Sequence, residues 1–138
     1  MKPDKSKIQF IETLVKESNI VFKHIGVYNI DLDFSASGIV KKSTSTFTLF
    51  IGLKIKEAED KFAIDILTES KFLYSNDLFN DDCINSYFVL NAPAIVFPYI
   101  RAYISGLTAL SGMPTLTLPT LNLSAIGNQL KDNIEIVE

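Results

Sequence analysis

Residues 27–36 alternate in character: Ile30, Leu32 and Phe34 interleave with Asn29, Asp31 and Asp33. Successive side chains of a strand point to opposite faces, so this segment reads as a strand with one wet face. Residues 44–57 repeat the pattern, with Phe47, Leu49, Ile51, Leu53 and Ile55 on one parity and Thr46, Thr48, Phe50, Gly52, Lys54 and Lys56 on the other. In 61–74, Phe62, Ile64, Ile66, Phe72 and Tyr74 share a face with Thr68 and Ser70, which marks a bulge or a strand rim there. Ala36-Ser37-Gly38 reads as a bend, Lys41-Lys42-Ser43 as a polar connection and Glu57-Ala58-Glu59-Asp60-Lys61 as a hairpin loop. Successive one-sided strands with short links imply an antiparallel sheet with one solvated face. That face would carry Asp31, Asp33, Lys54, Lys56, Asp65 and Glu69.

The flanking segments follow other rules. Residues 1–7 read as a loose charged tail. Residues 8–23 fit two patterns: Ile8, Ile11, Leu14 and Val15 sit at helical spacing, while Ile20 and Phe22 alternate with polar neighbours, so spacing leaves helix and strand open. Beyond Tyr74, residues 75–82 form a polar connection and 84–90 a short apolar helix. Asn91 and Pro93 resemble a cap and first turn, opening a helix over 94–111 that Pro98 kinks or restarts and Gly112 and Pro114 stop. Met113 to Leu121 is an apolar loop stiffened by Pro114 and Pro119. A second helix follows from Leu123 to about Asn133, with Leu123, Ile126 and Leu130 on one stripe. No internal repeat interrupts this plan, and 138 residues fit one domain, 1–138.

Charge changes the picture. Of 29 charged side chains, 24 lie in residues 1–82, and between Cys83 and Leu130 only Arg101 is charged. So long a charge-free stretch is a membrane span, a core helix with a subunit interface, or a surface that binds something apolar. Pro98, Arg101, Ser105, Gly106, Thr108, Ser111 and Gly112 interrupt its best window, which argues against membrane insertion. A net charge of −3 argues against nucleic-acid binding. One Cys and one His exclude a disulfide scaffold and argue against a His/Cys metal cluster. The polar first residues lead into no signal-type apolar run, so the expected compartment is the cytoplasm, and Asn122-Leu123-Ser124 is a chance glycosylation match.

Little in the sequence points to catalysis. His24 stands alone, Cys83 reads as a core or interface thiol, and Asp81-Asp82 reads as solvated loop. Asp31 and Asp33 share a strand face without a pocket-forming loop nearby. There is no glycine-rich phosphate loop and no Gly-x-Ser-x-Gly elbow. The expectation is a binding protein, not an enzyme, without cofactor or metal. Its candidate binding surface is the Leu-rich loop with the second helix: Met113, Leu116, Leu118, Leu121, Leu123, Ile126 and Leu130. A loop normally runs over the surface, so one this apolar expects something to cover it. Tyr103, Leu107 and Leu110, flanked by Ala102, Gly106 and Ala109, form a candidate oligomer interface.

The segment Pro93-Ala94-Ile95-Val96-Phe97-Pro98-Tyr99-Ile100-Arg101 resembles the signature of the SecB protein-export chaperones, in which Phe-Pro-Tyr-Ala-Arg opens the first long helix. Gly112, then Pro114-Thr115-Leu116-Thr117-Leu118-Pro119-Thr120-Leu121-Asn122-Leu123, is similar to that family's Pro-x-Leu-x-Leu-x-Pro-x-Asn-Phe loop, with a small shift at the second Pro. Tyr28-Asn29-Ile30-Asp31-Leu32-Asp33 is similar to its second strand, and Ile64-Asp65-Ile66 to an acidic position on its fourth. The resemblance implies an α+β fold: a four-stranded antiparallel sheet followed by two helices, with residues 8–23 as first strand. It implies a homotetramer built as a dimer of dimers. It also implies an ATP-independent holdase that binds unfolded preproteins and keeps them competent for Sec-dependent export, with Asp65 and Glu17 contacting SecA. The chain departs from the pattern in a shorter loop between the first two strands, in an acidic tail reduced to Glu135-Ile136-Val137-Glu138, and in its first-strand acids, of which Glu17 is the nearest candidate. Two alternatives remain open: a SecB-like chaperone dedicated to a toxin–antitoxin pair, and a small apolar-ligand-binding protein.

Overall fold

The computed structural model describes residues 8–75, 84–119, 121 and 123–138, so Cys83, Asp81-Asp82 and the tail at 1–7 lie outside the described residues. Five strands make one sheet: β1 (Ile8–Phe22), β2 (Ile30–Lys41), β3 (Thr46–Glu57), β4 (Phe62–Tyr74) and β5 (Ile134–Val137). Their order is β1-β4-β3-β2-β5. All neighbours are antiparallel except β5, which runs parallel to β2. Between β4 and β5 come a π-helical segment, Ile84–Asn91, then α1 (Ala92–Leu110) and α2 (Ser124–Lys131). The fold is α+β, as expected, with a fifth strand added to the sheet. Only four residues long, β5 sits in what the sequence shows as an acidic tail, too short for alternation to register.

The alternating residues of β3 and β4 build the core. Phe47, Leu49, Leu53, Ile55 and Phe72 are fully buried, while Lys54, Lys56 and Asp65 on the opposite parity are exposed. Phe88 of the π-helical segment inserts into this dry face, stacked on Phe47 at 4.3 Å and edge-on to Tyr74 at 5.3 Å. Such pairs add about 0.5–1.5 kcal/mol each beyond the area they bury. α1 follows with Val96, Phe97, Ile100, Ile104 and Thr108 buried at three- and four-residue spacing. Tyr87–Leu110 is long and apolar enough to cross a membrane, yet its inner stripe belongs to the same core cluster as the strands.

Three local expectations are corrected. Residues 36–38 do not bend: β2 runs straight through them, and Gly38 is needed because a Cβ there would lie 2.6 Å from the Phe47 ring. Thr68 and Ser70 do not interrupt β4. The register shifts lie opposite, in β1 between Phe10/Glu12 and Val15/Glu17, and the buried hydroxyls are satisfied: Thr68 donates to the Ile51 carbonyl at 3.0 Å, and Ser70 bonds Thr13 at 2.7 Å. Asn91 does not cap α1, because the chain is already helical before it. α1 also continues through Pro98. It ends as expected at Gly112 (φ 81°), where Gly112 N–H donates to Ala109 C=O and Met113 N–H to Thr108 C=O, the paired bonds of a Schellman motif.

At the far end of the sheet, the buried Glu57 carboxylate ties the β3–β4 turn to the segment that crosses from β1 to β2. It accepts from the backbone N–H of Asn29 and of Glu59, both at 2.8 Å, and of Lys61 at 3.4 Å. The Asn29 bond chiefly holds this carboxyl below its ordinary pKa; burial opposes the shift, and Glu59 and Lys61 reinforce it. The contribution to stability is complete above the unfolded carboxyl's pKa and is lost as pH falls through the lower folded one.

Candidate binding groove

The Leu-rich loop is held on the fold by two hydroxyls of α1. Thr108 is buried; its Oγ donates to Ile104 C=O at 2.9 Å and accepts from Leu116 N–H at 2.9 Å. Ser105 Oγ donates to Leu116 C=O at 3.2 Å. Both backbone groups of Leu116 are thus satisfied by side chains. An irregular segment without helix or strand bonds can therefore lie against the core without orphaned polar atoms.

So anchored, the loop divides its leucines. Met113 and Leu118 are buried in the core, as are Ile126 and Leu130 of α2, whereas Leu116, Leu121 and Leu123 are half-buried against it. Of these seven residues, Leu121 and Ile126 line an open groove, together with Leu32 and Phe34 of β2 and Ala125 and Gln129 of α2. The groove holds about 270 Å³ and has no charged residue in its lining. Phe34 is backed by Phe97 of α1, ring centroids 6.2 Å apart. Leu32 and Phe34 read in sequence as ordinary dry-face positions. Alternation identifies the face but not that β2 stands near the edge of the sheet, one strand in from β5.

The candidate interface residues on α1 separate in a similar way. Tyr103 and Leu107 are half-buried, and Tyr103 Oη donates to Ser18 Oγ of β1 at 2.6 Å. Leu110 is 91% exposed, and Leu90 and Tyr99, which the stripe did not include, are 61% and 52% exposed. β1 adds Ile11, Leu14, Val15, Val21 and Phe22 to the uncovered apolar surface.

On the outer face of the sheet, Asp65 and Glu17 are exposed and lie diagonally across the β1–β4 pair, since Asp65 faces Asn19 and Glu17 faces Leu67. Across β3, Lys54 stands between Asp33 and Asp65, and Lys56 faces Asp31. The patch is of mixed sign. His24 is exposed in the crossing segment, its N–H bonded to Lys61 C=O at 3.1 Å. No group of three His, Cys, Asp or Glu among the described residues is placed to hold a metal ion.

The family model described as preprotein translocase subunit SecB matches residues 17–133. The chain belongs to the SecB family. Among solved structures, the SecB-like chaperone Rv1957 of Mycobacterium tuberculosis, in complex with a ChAD peptide from the Rv1956 HigA1 antitoxin, is similar with a TM-score of 0.71 and 20% identity, covering 84% of this chain and 88% of that one. A protein of unknown function from Streptococcus agalactiae is similar with a TM-score of 0.50 and 14% identity, over 82% and 97% of the two chains. No curated protein matches the chain at a significant level. At these identities the structural likenesses speak for the fold alone.

Proposed function

We propose that this SecB-family chain is an ATP-independent holdase chaperone that captures extended apolar segments of unfolded polypeptides in the groove between β2, the Leu121 segment and α2. The observation that carries this reading is the groove itself: solvent-open, apolar and uncharged, in a SecB-family fold. Burial of client side chains there is worth roughly 25 cal/mol per Å² and has no directional demand, which suits clients of varied sequence. At about 270 Å³ it lies at the lower edge of the roughly 300–1,000 Å³ typical of small-ligand pockets, and its open side suits a passing chain better than a sequestered molecule.

The full reading is the export role: preproteins as clients, the cytoplasm as compartment, a homotetramer built as a dimer of dimers, and SecA as partner through Asp65 and Glu17. The uncovered apolar residues of α1 and β1 support oligomerisation, because a lone chain leaves Leu110, Leu90, Tyr99 and the β1 side chains in water. A second reading is a chaperone dedicated to one antitoxin. Its support is the likeness to Rv1957, whose structure holds an antitoxin peptide.

Suppression of aggregation tests the holdase. An unrelated denatured enzyme is diluted into buffer with the protein, and light scattering is followed. Capture is expected, and Phe34→Ser and Leu121→Ser should each weaken it while leaving the fold intact. A protein that leaves aggregation of several unrelated clients untouched is not a general holdase. Capture of one antitoxin alone would select the second reading.

A further inference from the structure

The β2 edge beside the groove is partly occupied by the chain itself. β5 pairs with Gly38–Lys41, and Gly38 N–H donates to Asn133 C=O at 3.1 Å. The backbone groups of neighbouring strand residues point to opposite sides. Asn29 C=O faces the β3 side, accepting from Ala58 N–H at 2.8 Å, so the even-numbered residues Leu32, Phe34 and Ala36 turn their N–H and C=O groups outward, in line with Gly38. Leu32 and Phe34 are the residues whose side chains wall the groove. One continuous backbone edge therefore runs from the groove to β5.

The hold of β5 on that edge is slight. It is four residues long, and parallel pairing is weaker per residue than antiparallel. Glu135 and Ile136 are exposed, and Ile134 and Val137 only half-buried. The turn behind it is fixed independently, by Asn133 N–H to Leu130 C=O at 2.9 Å and Asn133 Nδ2 to Gln129 C=O at 2.7 Å, so β5 can leave without dismantling α2. The segment also shows what the edge accepts. Ile134 and Ile136 pair with Gly38 and Val40 and so fall on the dry face, with Glu135 between them on the outer face.

We propose that β5 is a built-in competitor for the client: an extended apolar segment of an unfolded polypeptide pairs with the β2 edge beside the groove, and a long segment displaces β5 to do so. The proposal rests on the holdase reading and adds its mode of binding and its control. While β5 is seated, a client can use only the stretch around Leu32 and Phe34. When β5 leaves, Gly38 and Val40 join the edge. Apparent affinity for long clients is then lowered by the fraction of molecules in which β5 is away.

Two variants shift this equilibrium in opposite directions. Gly38 N–H bonds to Asn133 C=O, so alternation in β5 aims Glu135 N–H at the same edge, and Glu135→Pro removes that donor. Ile39 and Glu135 are registered across the pair, and adjacent strands about 4.8 Å apart lie within disulfide range, so Ile39→Cys with Glu135→Cys, in a Cys83→Ser background, locks β5 when oxidised. Capture is read with two probes: a fluorescent, reduced and carboxymethylated protein, and a short apolar peptide no longer than the free stretch of β2. Circular dichroism and light scattering verify that fold and assembly are unchanged. Glu135→Pro should tighten capture of the long probe, and the lock should weaken it about tenfold, restored by reductant, with the peptide indifferent to both. Equal half-saturation for oxidised and reduced forms overturns the competitor while leaving the holdase standing. So does a lock that weakens the peptide equally, because the groove itself has then changed. If the reduced protein captures neither probe, the holdase reading falls and the competitor with it.

Discussion

The strand half and the helical half of this chain complete their surfaces by different means. In the sheet, one face is dry and the other is given to charge, with Lys54 standing between Asp33 and Asp65 and Lys56 facing Asp31. Between Cys83 and Leu130 only Arg101 is charged, and α1 presents Leu110, Tyr99 and neighbouring Leu90 to solvent. β1 is the sheet's exception, an edge strand with five large apolar residues exposed. A charged face is complete without a partner. An apolar face of this extent is not, and it marks where a molecule meets other molecules. Substitutions should therefore act differently in the two halves: on assembly and capture in the helical half, and with little effect on stability on the charged sheet face.

The sharpest break lies inside the helical half, between two leucines that the sequence presents as equivalents. Leu118 is fully buried, and Leu116 is half-buried with its backbone clamped by Ser105 and Thr108. Leu118→Ala should cost about 2–5 kcal/mol, the range for emptying a leucine site in a core. Leu116→Ser should cost far less, because that side chain is only half-buried and does not line the groove. Urea denaturation of both variants checks this; equal losses would mean the loop is a single core element.

Next is assembly. Leu107→Asp puts a charge at a half-buried position of α1 that packs partly against the core, and an unpaired charge trapped at an interface costs about 3–5 kcal/mol. We expect light scattering to show the proposed tetramer falling toward dimers while the far-ultraviolet dichroism of the chain persists. An unchanged mass would place the interface elsewhere, with β1 as the first surface to examine.

The loop clamp comes third. Thr108→Val keeps the volume and removes the hydroxyl, leaving Leu116 N–H without its acceptor. A buried donor left unmet costs about 1–3 kcal/mol. The expected outcome is faster hydrogen exchange at Leu116 and a lower melting temperature, with weaker capture if the ordered loop is needed to hold the groove open.

The sequence was informative wherever a local rule was sufficient. Alternation in β3 and β4 identified their dry face residue by residue, and Gly112 marked the end of α1. Expectations failed where the deciding partner was distant. Gly38 looked like a bend because nothing nearby in sequence reveals the Phe47 ring packed over its Cα. Thr68 and Ser70 looked like a defect of β4, although the irregularity belongs to β1 across the ladder. For the groove, Leu121 and Ile126 were legible as apolar residues of a loop and a helix. Leu32 and Phe34 were not distinguishable from other dry-face residues until the strand order placed β2 near an edge.

The smallest expected effect concerns the charged face. Asp65 is exposed, so Asp65→Lys should change stability by no more than about 0.5 kcal/mol, as surface substitutions away from special features usually do. Its local consequence is electrostatic: the row Asp33, Lys54, Asp65 becomes two cations and one anion, with Lys54 and the new lysine directly opposed. Like charges directly opposed on neighbouring strands are mildly destabilising. If Asp65 contributes to a surface that meets a basic region of SecA, the variant should bind SecA more weakly and lose less of its remaining affinity as salt is raised, because one screened attraction has been removed. Lys54→Glu is the opposing control. It makes the row wholly acidic and should strengthen the same contact. Titration of SecA against the three proteins at two salt concentrations decides the matter: a monotonic order, Lys54→Glu tightest and Asp65→Lys weakest, requires the outer face to be the docking surface. Equal affinities would mean that the charged face serves only to keep the sheet in water, and that whatever meets this chain meets its apolar half.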